Sequence, residues 1–84
     1  MGFTALSGAA FKGDAKITKI LLKNKANPNA SNESGQTPLM LAAMMGREEV
    51  AKLLIEAGAK IDAKTKEGQT PLSLAKQHDR TGMI

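Results

Sequence analysis

The sequence predicts an all-α solenoid in which helix-turn-helix units stack side by side and are joined by β-hairpin fingers. Three observations predict it: a 33-residue period that runs through the 84 residues without a gap, a Thr-Pro-Leu helix start that recurs with this period, and glycines where the helices should end. Because one such unit cannot bury its apolar face alone, neighbouring units must stack on one another.

The period appears when residues 2–34 are laid over residues 35–67, because ten positions are then identical. A third, partial copy at 68–84 matches copy two at eight of its 17 positions. We therefore expect one domain over residues 1–84. A stack of this kind needs about three units, and neither end reads as a polar cap, so we expect a piece of a longer array.

The first helix of each copy is predicted from its capping residues. In copy two, the hydroxyl of Thr37 can accept a hydrogen bond from an unpaired backbone N–H. Pro38 then occupies the first helical position, where its fixed φ fits. Leu39 opens an apolar stripe with alanines three and four residues further on. Gly46 ends the helix in the left-handed conformation.

The second helix of copy two is predicted at about residues 47–57. Its buried face is expected to hold three apolar residues: Val50, Leu53 and Leu54. Gly58 ends this helix. The polar stretch at 59–69 that follows is long enough for an extended β-hairpin finger, which completes the order helix, turn, helix, finger in each unit.

Residues 35–43, Gly-Gln-Thr-Pro-Leu-Met-Leu-Ala-Ala, resemble the helix-opening motif of the ankyrin repeat family, and residues 68–75 repeat it. Residues 53–63 resemble the end of the family's second helix and the start of its hairpin. The resemblance covers residues 2–84, and it implies an ankyrin-type α-solenoid that acts as a protein–protein interaction module. The family's histidine after Thr-Pro-Leu is absent, and its place is taken by Ser7, Met40 and Ser73.

Copy one departs furthest from the pattern, and we expect it to be the least stable copy. Ala5 replaces the proline, and Gly8 replaces a helix leucine at a cost of about 0.5–1 kcal/mol relative to alanine. Lys25 stands at the position of Gly58, and a lysine in left-handed geometry costs about 1–2 kcal/mol. In copy three, Asp79 replaces the terminating glycine, a milder change because aspartate tolerates this geometry.

Composition excludes most site chemistry. The chain has no cysteine and one histidine, His78, so disulfides, thiolate catalysis and two-histidine metal sites are excluded. Neither a Gly-x-Ser-x-Gly elbow nor a Gly-x-Gly-x-x-Gly loop is present. We therefore expect no catalytic residue, cofactor or metal, and His78 is interpreted as a surface residue near a helix C-terminus.

The scarcity of aromatic residues disfavours nucleic acid as a partner. Two phenylalanines and no tryptophan or tyrosine give no platform for stacked bases. No apolar run approaches the roughly 20 residues that span a bilayer. The first residues lack the basic and apolar pattern of a signal peptide, so the sequence favours a cytoplasmic location.

Variation inside the repeat predicts the partner-binding residues. Between the Ala-Ala pair and the end of the first helix, the copies hold three different pairs: Phe11-Lys12, Met44-Met45 and Gln77-His78. In the ankyrin family these positions lie on the concave surface, beside the finger tips. Methionine is flexible and common on adaptable binding surfaces. The alternative is that these side chains fill the groove between neighbouring first helices.

Two further sets complete the predicted partner-binding surface. The fingers supply a polar rim: Glu33, Ser34, Gln36, Lys66, Glu67 and Gln69. The ends of the second helices face the same groove in members of the family, and here they hold Asn24 and Ala57. The alternative is that all these residues only form turns and keep the surface polar. Asn29 also matches a finger asparagine that an oxygenase hydroxylates in some animal ankyrin proteins.

Charge is unevenly distributed, since copy one carries +3 and copy two is neutral. A basic stripe on the second helix of copy one could bind nucleic acid, an acidic protein or a membrane surface. The stripe consists of Lys16, Lys19 and Lys23, and Lys12 of the first helix would bind the same partner. The alternative is a solvated outer face, opposite an inward stripe of Ile17, Ile20 and Leu21. Further alternatives are a structural or regulatory arm of a larger protein and self-association through uncapped ends.

Overall fold

A computed structural model of the chain describes residues 4–78. Its five helices are α1 (Ala5–Lys12), α2 (Ala15–Lys23), α3 (Pro38–Met45), α4 (Glu48–Glu56) and α5 (Pro71–Gln77). The inner helices α1, α3 and α5 pack in a row, and the outer helices α2 and α4 pack beside each other. This is the predicted all-helical solenoid. Asp79, which was predicted to end a helix, lies outside the described residues.

Each inner helix begins as the sequence predicts. The hydroxyls of Thr4, Thr37 and Thr70 accept hydrogen bonds from the backbone N–H three residues ahead, at 3.0, 3.3 and 3.0 Å. In the place of the family's histidine, Ser73 accepts a bond from the Thr70 N–H at 2.8 Å, and the Met40 sulfur accepts one from the Thr37 N–H at 3.4 Å. These side chains therefore secure the start of their own helix.

Small residues let the inner helices approach closely. Four alanines of α1, α3 and α5 are fully buried between them: Ala10, Ala42, Ala43 and Ala75. Leu6, Leu39 and Leu54 fill the space between the inner and outer helices, at 2, 0 and 0% exposure. The core is thus one continuous layer between the two rows of helices.

The expected inward stripe of α2 is wrong for Ile17 and Ile20, whose side chains are 42 and 51% exposed. The buried residue of α2 is Thr18, whose hydroxyl donates to the Asp14 carbonyl at 2.7 Å. Val50 lies 33 residues after Ile17 and is only 1% exposed, because α4 has α2 beside it. No described helix lies on the other side of α2, so the equivalent isoleucines stay in contact with solvent.

The fingers are turns rather than paired strands, and no strand occurs between residues 4 and 78. One short backbone bond spans each finger, from Asn32 N–H to the Gln36 carbonyl at 3.0 Å and from Thr65 N–H to the Gln69 carbonyl at 2.8 Å. Neighbouring amides are bound by side chains: the Asn32 Oδ1 accepts two backbone N–H groups, and the Thr65 Oγ1 accepts two more. The backbone amides of each finger therefore have hydrogen-bond partners without the pairing of two strands.

Asn29 ties copy one to copy two. Its Nδ2 donates to the Gly58 carbonyl at 3.1 Å, and its Oδ1 accepts the Lys60 N–H at 2.8 Å. Both ends of the amide are thus occupied by the backbone that follows α4. Since those backbone groups belong to the next copy, this one side chain joins successive connections of the solenoid.

Replacing Asn29 with alanine removes both bonds, and we expect the free energy of unfolding to fall by about 1–2 kcal/mol. Asn29→Asp keeps an acceptor for Lys60 N–H but loses the donor to Gly58, so its loss should be smaller. Urea denaturation of the three proteins measures the order. An alanine variant as stable as the native chain would contradict the role of Asn29 as a tie.

Lys25 adopts the left-handed conformation that the sequence predicts, with φ at +69°, and it is the only residue other than glycine with positive φ between residues 4 and 78. Gly58, its equivalent in copy two, has φ at +100°. Copy one therefore carries backbone strain at the point where copy two has a glycine.

Lys25→Gly should raise the free energy of unfolding by about 0.5–1 kcal/mol, since it relieves the strain but adds freedom to the unfolded chain. The reciprocal change Gly58→Lys should lower it, and by strain alone, because a Cβ there meets nothing within 4 Å. Thermal unfolding followed by circular dichroism compares both variants with the native chain. Equal stability of all three would show that the strain is negligible.

Candidate partner-binding site

The two fingers border an open groove of about 410 Å³. Seven residues line it: Glu33, Ser34, Gln36, Thr65, Lys66, Glu67 and Gln69. Six of them belong to the predicted polar rim. Thr65 was missed, although a signal was present: it occupies the position of Asn32, and both side chains bind the backbone amides of their own turn.

The width of this finger groove is set by a backbone contact. The Lys66 N–H of finger two donates to the Ser34 carbonyl of finger one at 3.1 Å. Close approach is possible because Gly35 has no side chain, and a Cβ placed there would lie 3.1 Å from the Thr65 Cα. Gly35 also has φ at +85°, which favours glycine.

A side-chain bond joins finger two to the end of an inner helix. The Gln69 Nε2 donates to the Gln77 Oε1 of α5 at 3.1 Å. Gln77 occupies the same repeat position as Met44, and Gln69 the same position as Gln36. Gln36 has no amide partner at that position, and its Oε1 instead accepts a bond from the Asn32 Nδ2 at 2.8 Å.

The side chains at the C-terminal ends of the inner helices α1, α3 and α5 differ in their exposure to solvent. Phe11 is 42% exposed, while Met44 and Met45 are half-buried. Each methionine thus partly fills the space beside its helix and partly reaches the surface. Lys12, Gln77 and His78 are exposed, and His78 is the C-cap of α5.

Arg47 contributes to this region and was missed in the sequence. Its Nε donates to the Phe11 carbonyl at 3.2 Å, and its side chain covers Gly13, where a Cβ would clash with it. The available signal was its position, because Asp14 occupies the same place in copy one and caps α2 with its carboxylate. Arginine has no side-chain acceptor, so Arg47 does not cap α4 in this way.

Asn24 and Ala57 lie apart from the finger groove. Both are exposed and form the C-caps of α2 and α4. The Asn24 Nδ2 donates to the Ile20 carbonyl at 2.8 Å, so its amide serves the end of its own helix.

The finger groove presents groups that can form hydrogen bonds and ion pairs. Its polar groups are two carboxylates, one ammonium, amides and hydroxyls on turns held by hydrogen bonds. Among residues 4–78, no group of three or more histidine, aspartate or glutamate side chains could hold a metal ion. In the same part of the chain, none of the helices combines the length and the apolar character needed to cross a membrane.

Comparison with known proteins identifies the family. A family model described as ankyrin repeats, in three copies, matches residues 6–84. The chain belongs to the ankyrin repeat family. A protein of Rickettsia bellii (strain RML369-C), described as a putative ankyrin repeat protein, is 54% identical over 35 residues, which make up 42% of this chain. The matched segment covers only 4% of that relative's length. Ankyrin repeats are generally protein–protein interaction modules.

The ankyrin fingers contain two equivalent glycines, which together test the contact between finger one and finger two that sets the width of the groove. Gly35 and Gly68 have similar φ angles, +85° and +82°, but a Cβ at Gly68 meets nothing within 4 Å. Both changes to alanine should cost about 1 kcal/mol of stability through backbone strain. Gly35→Ala should cost more, because the added Cβ must push finger two away.

Urea denaturation gives the two losses, and amide chemical shifts of Lys66 report the Ser34 bond directly. We expect the Lys66 amide to shift in Gly35→Ala and to stay in place in Gly68→Ala. Equal losses with an unchanged Lys66 amide would show that the fingers are not in contact.

Proposed function

We propose that this ankyrin domain is a non-catalytic module that binds a segment of a partner protein on its concave surface. That surface comprises the finger groove and the adjoining row Phe11, Met44 and Gln77. The observation that carries the proposal is the open groove between two fingers tied by a backbone bond, together with two apolar side chains at the inner-helix ends, Phe11 and Met44, that are only partly buried. An apolar strip with a polar rim is the usual anatomy of a protein interface.

Gln36 and Gln69, one at each finger, each use one half of the side-chain amide and leave the other half for a partner. In side-chain hydrogen bonds among residues 4–78, Gln36 uses its Oε1 and Gln69 uses its Nε2. The Gln36 Nε2 is therefore available as a donor and the Gln69 Oε1 as an acceptor. A peptide backbone presents both an acceptor and a donor at each residue, so it can satisfy the two glutamines together.

The spacing of the copies suits an extended partner segment. Packed helices lie about 8–10 Å apart, so equivalent residues of neighbouring copies are separated by a similar distance. An extended chain covers this distance in about three residues, at about 3.3 Å per residue. We infer that an extended segment crossing the fingers meets Gln36 and Gln69 about three residues apart.

The test is affinity capture from a lysate of the source cells with Phe11→Lys, Met44→Lys and the native domain. A matched control is Ile55→Lys, which changes an apolar residue of similar exposure on the outer helix α4, 40% against 42% for Phe11. Circular dichroism first establishes that all variants are folded. Capture is quantified by mass spectrometry.

We expect a protein that is retained by the native and Ile55→Lys domains and reduced at least about tenfold by Phe11→Lys and Met44→Lys, since each change places a charge in an apolar contact. Equal retention by all four folded proteins would refute binding at the concave surface.

A further inference from the structure

The outer helices α2 and α4 each present a row of side chains on the side away from the inner helices. We define the outer face by six residues at three repeat positions: Lys16, Ile20 and Lys23 of α2, with Glu49, Leu53 and Glu56 of α4. The lysines and glutamates are exposed, Ile20 is 51% exposed, and Leu53 is half-buried. Each helix therefore carries one apolar residue with a charged residue on either side of it.

The outer face does not depend on which neighbour a helix has. Helix α2 is covered by α4 on the side of the following copy, and α4 is covered by α2 on the side of the preceding copy. Lys16 and Lys23 are exposed in the first setting, and Glu49 and Glu56 are exposed in the second. These positions therefore point out of the stack rather than toward the copy on either side.

The two halves of the outer face have opposite charge. Helix α2, Ala15–Lys23, has three lysines and no acidic residue, so it carries +3. Helix α4, Glu48–Glu56, has three glutamates and one lysine, so it carries −2. Asp14 and Arg47, which precede the two helices at one repeat position, are also of opposite sign. A surface with two complementary halves can bind a second copy of itself, as in isologous dimers.

A two-fold axis parallel to the outer helices pairs each half with its complement. Such an axis, midway between α2 and α4, lays the α2 of one molecule along the α4 of the other. Equivalent residues of copies that stack side by side lie at about the same level, so the residues that meet share a repeat position. The pairs across the interface are Lys16 with Glu49, Ile20 with Leu53, and Lys23 with Glu56. An axis across the helices would instead lay α2 on α2 and oppose lysine to lysine.

We propose that the chain forms a weak dimer with two-fold symmetry through its outer face. A second copy matches both helices, because its own face carries both signs of charge in the required order. Nucleic acid or an anionic lipid surface would pair with the lysines of α2 but would be repelled by the glutamates of α4. The outer face shares no residue with the concave surface, so each proposal can fail without the other.

The size of the outer face sets the strength of the dimer. Each outer helix has nine residues, so it is about 13 Å long. Two packed helices are about 20 Å wide, which gives a footprint of about 250 Å² on each molecule. Contacts well below about 1,200 Å² in total belong to weak and transient complexes. We therefore expect a dissociation constant of about 0.1–1 mM.

The test exchanges the charges of each half in separate proteins. Lys16→Glu/Lys23→Glu makes both halves acidic, and Glu49→Lys/Glu56→Lys makes both halves basic. Sedimentation equilibrium in about 50 mM salt, where charges are little screened, measures dimerisation of the 84-residue chain. We expect each variant alone to dimerise at least about tenfold more weakly than the native chain. An equimolar mixture of the two should return to within about threefold of it.

Recovery in the mixture separates contact between molecules from attraction within one molecule. Charges on neighbouring helices of one molecule also attract, but mixing two proteins cannot restore an attraction inside either of them. Lys12→Glu/Lys66→Glu is the matched control, because it lowers the formal net charge from +4 to zero, as Lys16→Glu/Lys23→Glu does, but lies outside the outer face. The control should dimerise as the native chain does. Circular dichroism shows that each protein is folded.

A single substitution tests the same interface in the opposite direction. Lys19 and Lys52 occupy one repeat position and are both lysine, so this position adds no complementarity. Lys52→Glu reverses the charge there and makes the α4 half more acidic. It should tighten the dimer about threefold.

The proposal is overturned if the native chain stays monomeric at about 1 mM, if the mixture dimerises no better than its components, or if the control loses as much association as the charge exchange. A Lys52→Glu dimer weaker than the native one also overturns it. A native dimer that both exchanges leave intact does so as well, since the contact would then lie on another surface, such as the ends of the stack.

Discussion

The contact between inner helices is the constraint on which the rest of the domain depends. Buried alanines at one equivalent position of α1, α3 and α5, namely Ala9, Ala42 and Ala75, let the helix backbones approach closely. This spacing brings the connection after α2 within reach of the one after α4, so that Asn29 can bind the backbone of the next copy. It also brings finger two against Gly35. The shape of the groove thus follows from residues that are nowhere near its surface.

Features that depend on a few neighbouring residues were predictable from the sequence. The threonine caps, the prolines at the first helical positions and the left-handed Lys25 follow from local backbone chemistry, and the structure has all of them. The position of Ile17 and Ile20 was not predictable in this way. Helical periodicity finds an apolar side of α2, but it cannot show whether a neighbour covers that side. The repeat pattern gave no sign that Ile17 is exposed, because Val50 occupies the same repeat position in copy two and is buried.

The candidate site was predictable as a set of positions but not as an arrangement of bonds. Variation between copies pointed to Phe11, Met44 and Gln77, and the predicted fingers supplied the polar rim. Whether a finger is a paired hairpin or a turn held by side chains depends on single groups such as the Asn32 amide and the Thr65 hydroxyl. Arg47 shows the same limit. Its side chain has no acceptor with which to cap α4, and its contact with the preceding copy depends on the distance between copies.

The bond from Arg47 to Phe11 has a consequence for how such a domain can change over evolutionary time. Arg47 binds the carbonyl oxygen of Phe11, and the side chain of Phe11 takes no part. One position thus serves two purposes with different atoms: its main chain holds two copies together, and its side chain faces outward. A substitution that alters the surface leaves the carbonyl in place. The side chain at this position can therefore change, and with it the binding specificity, while the hydrogen bond between the two copies is kept.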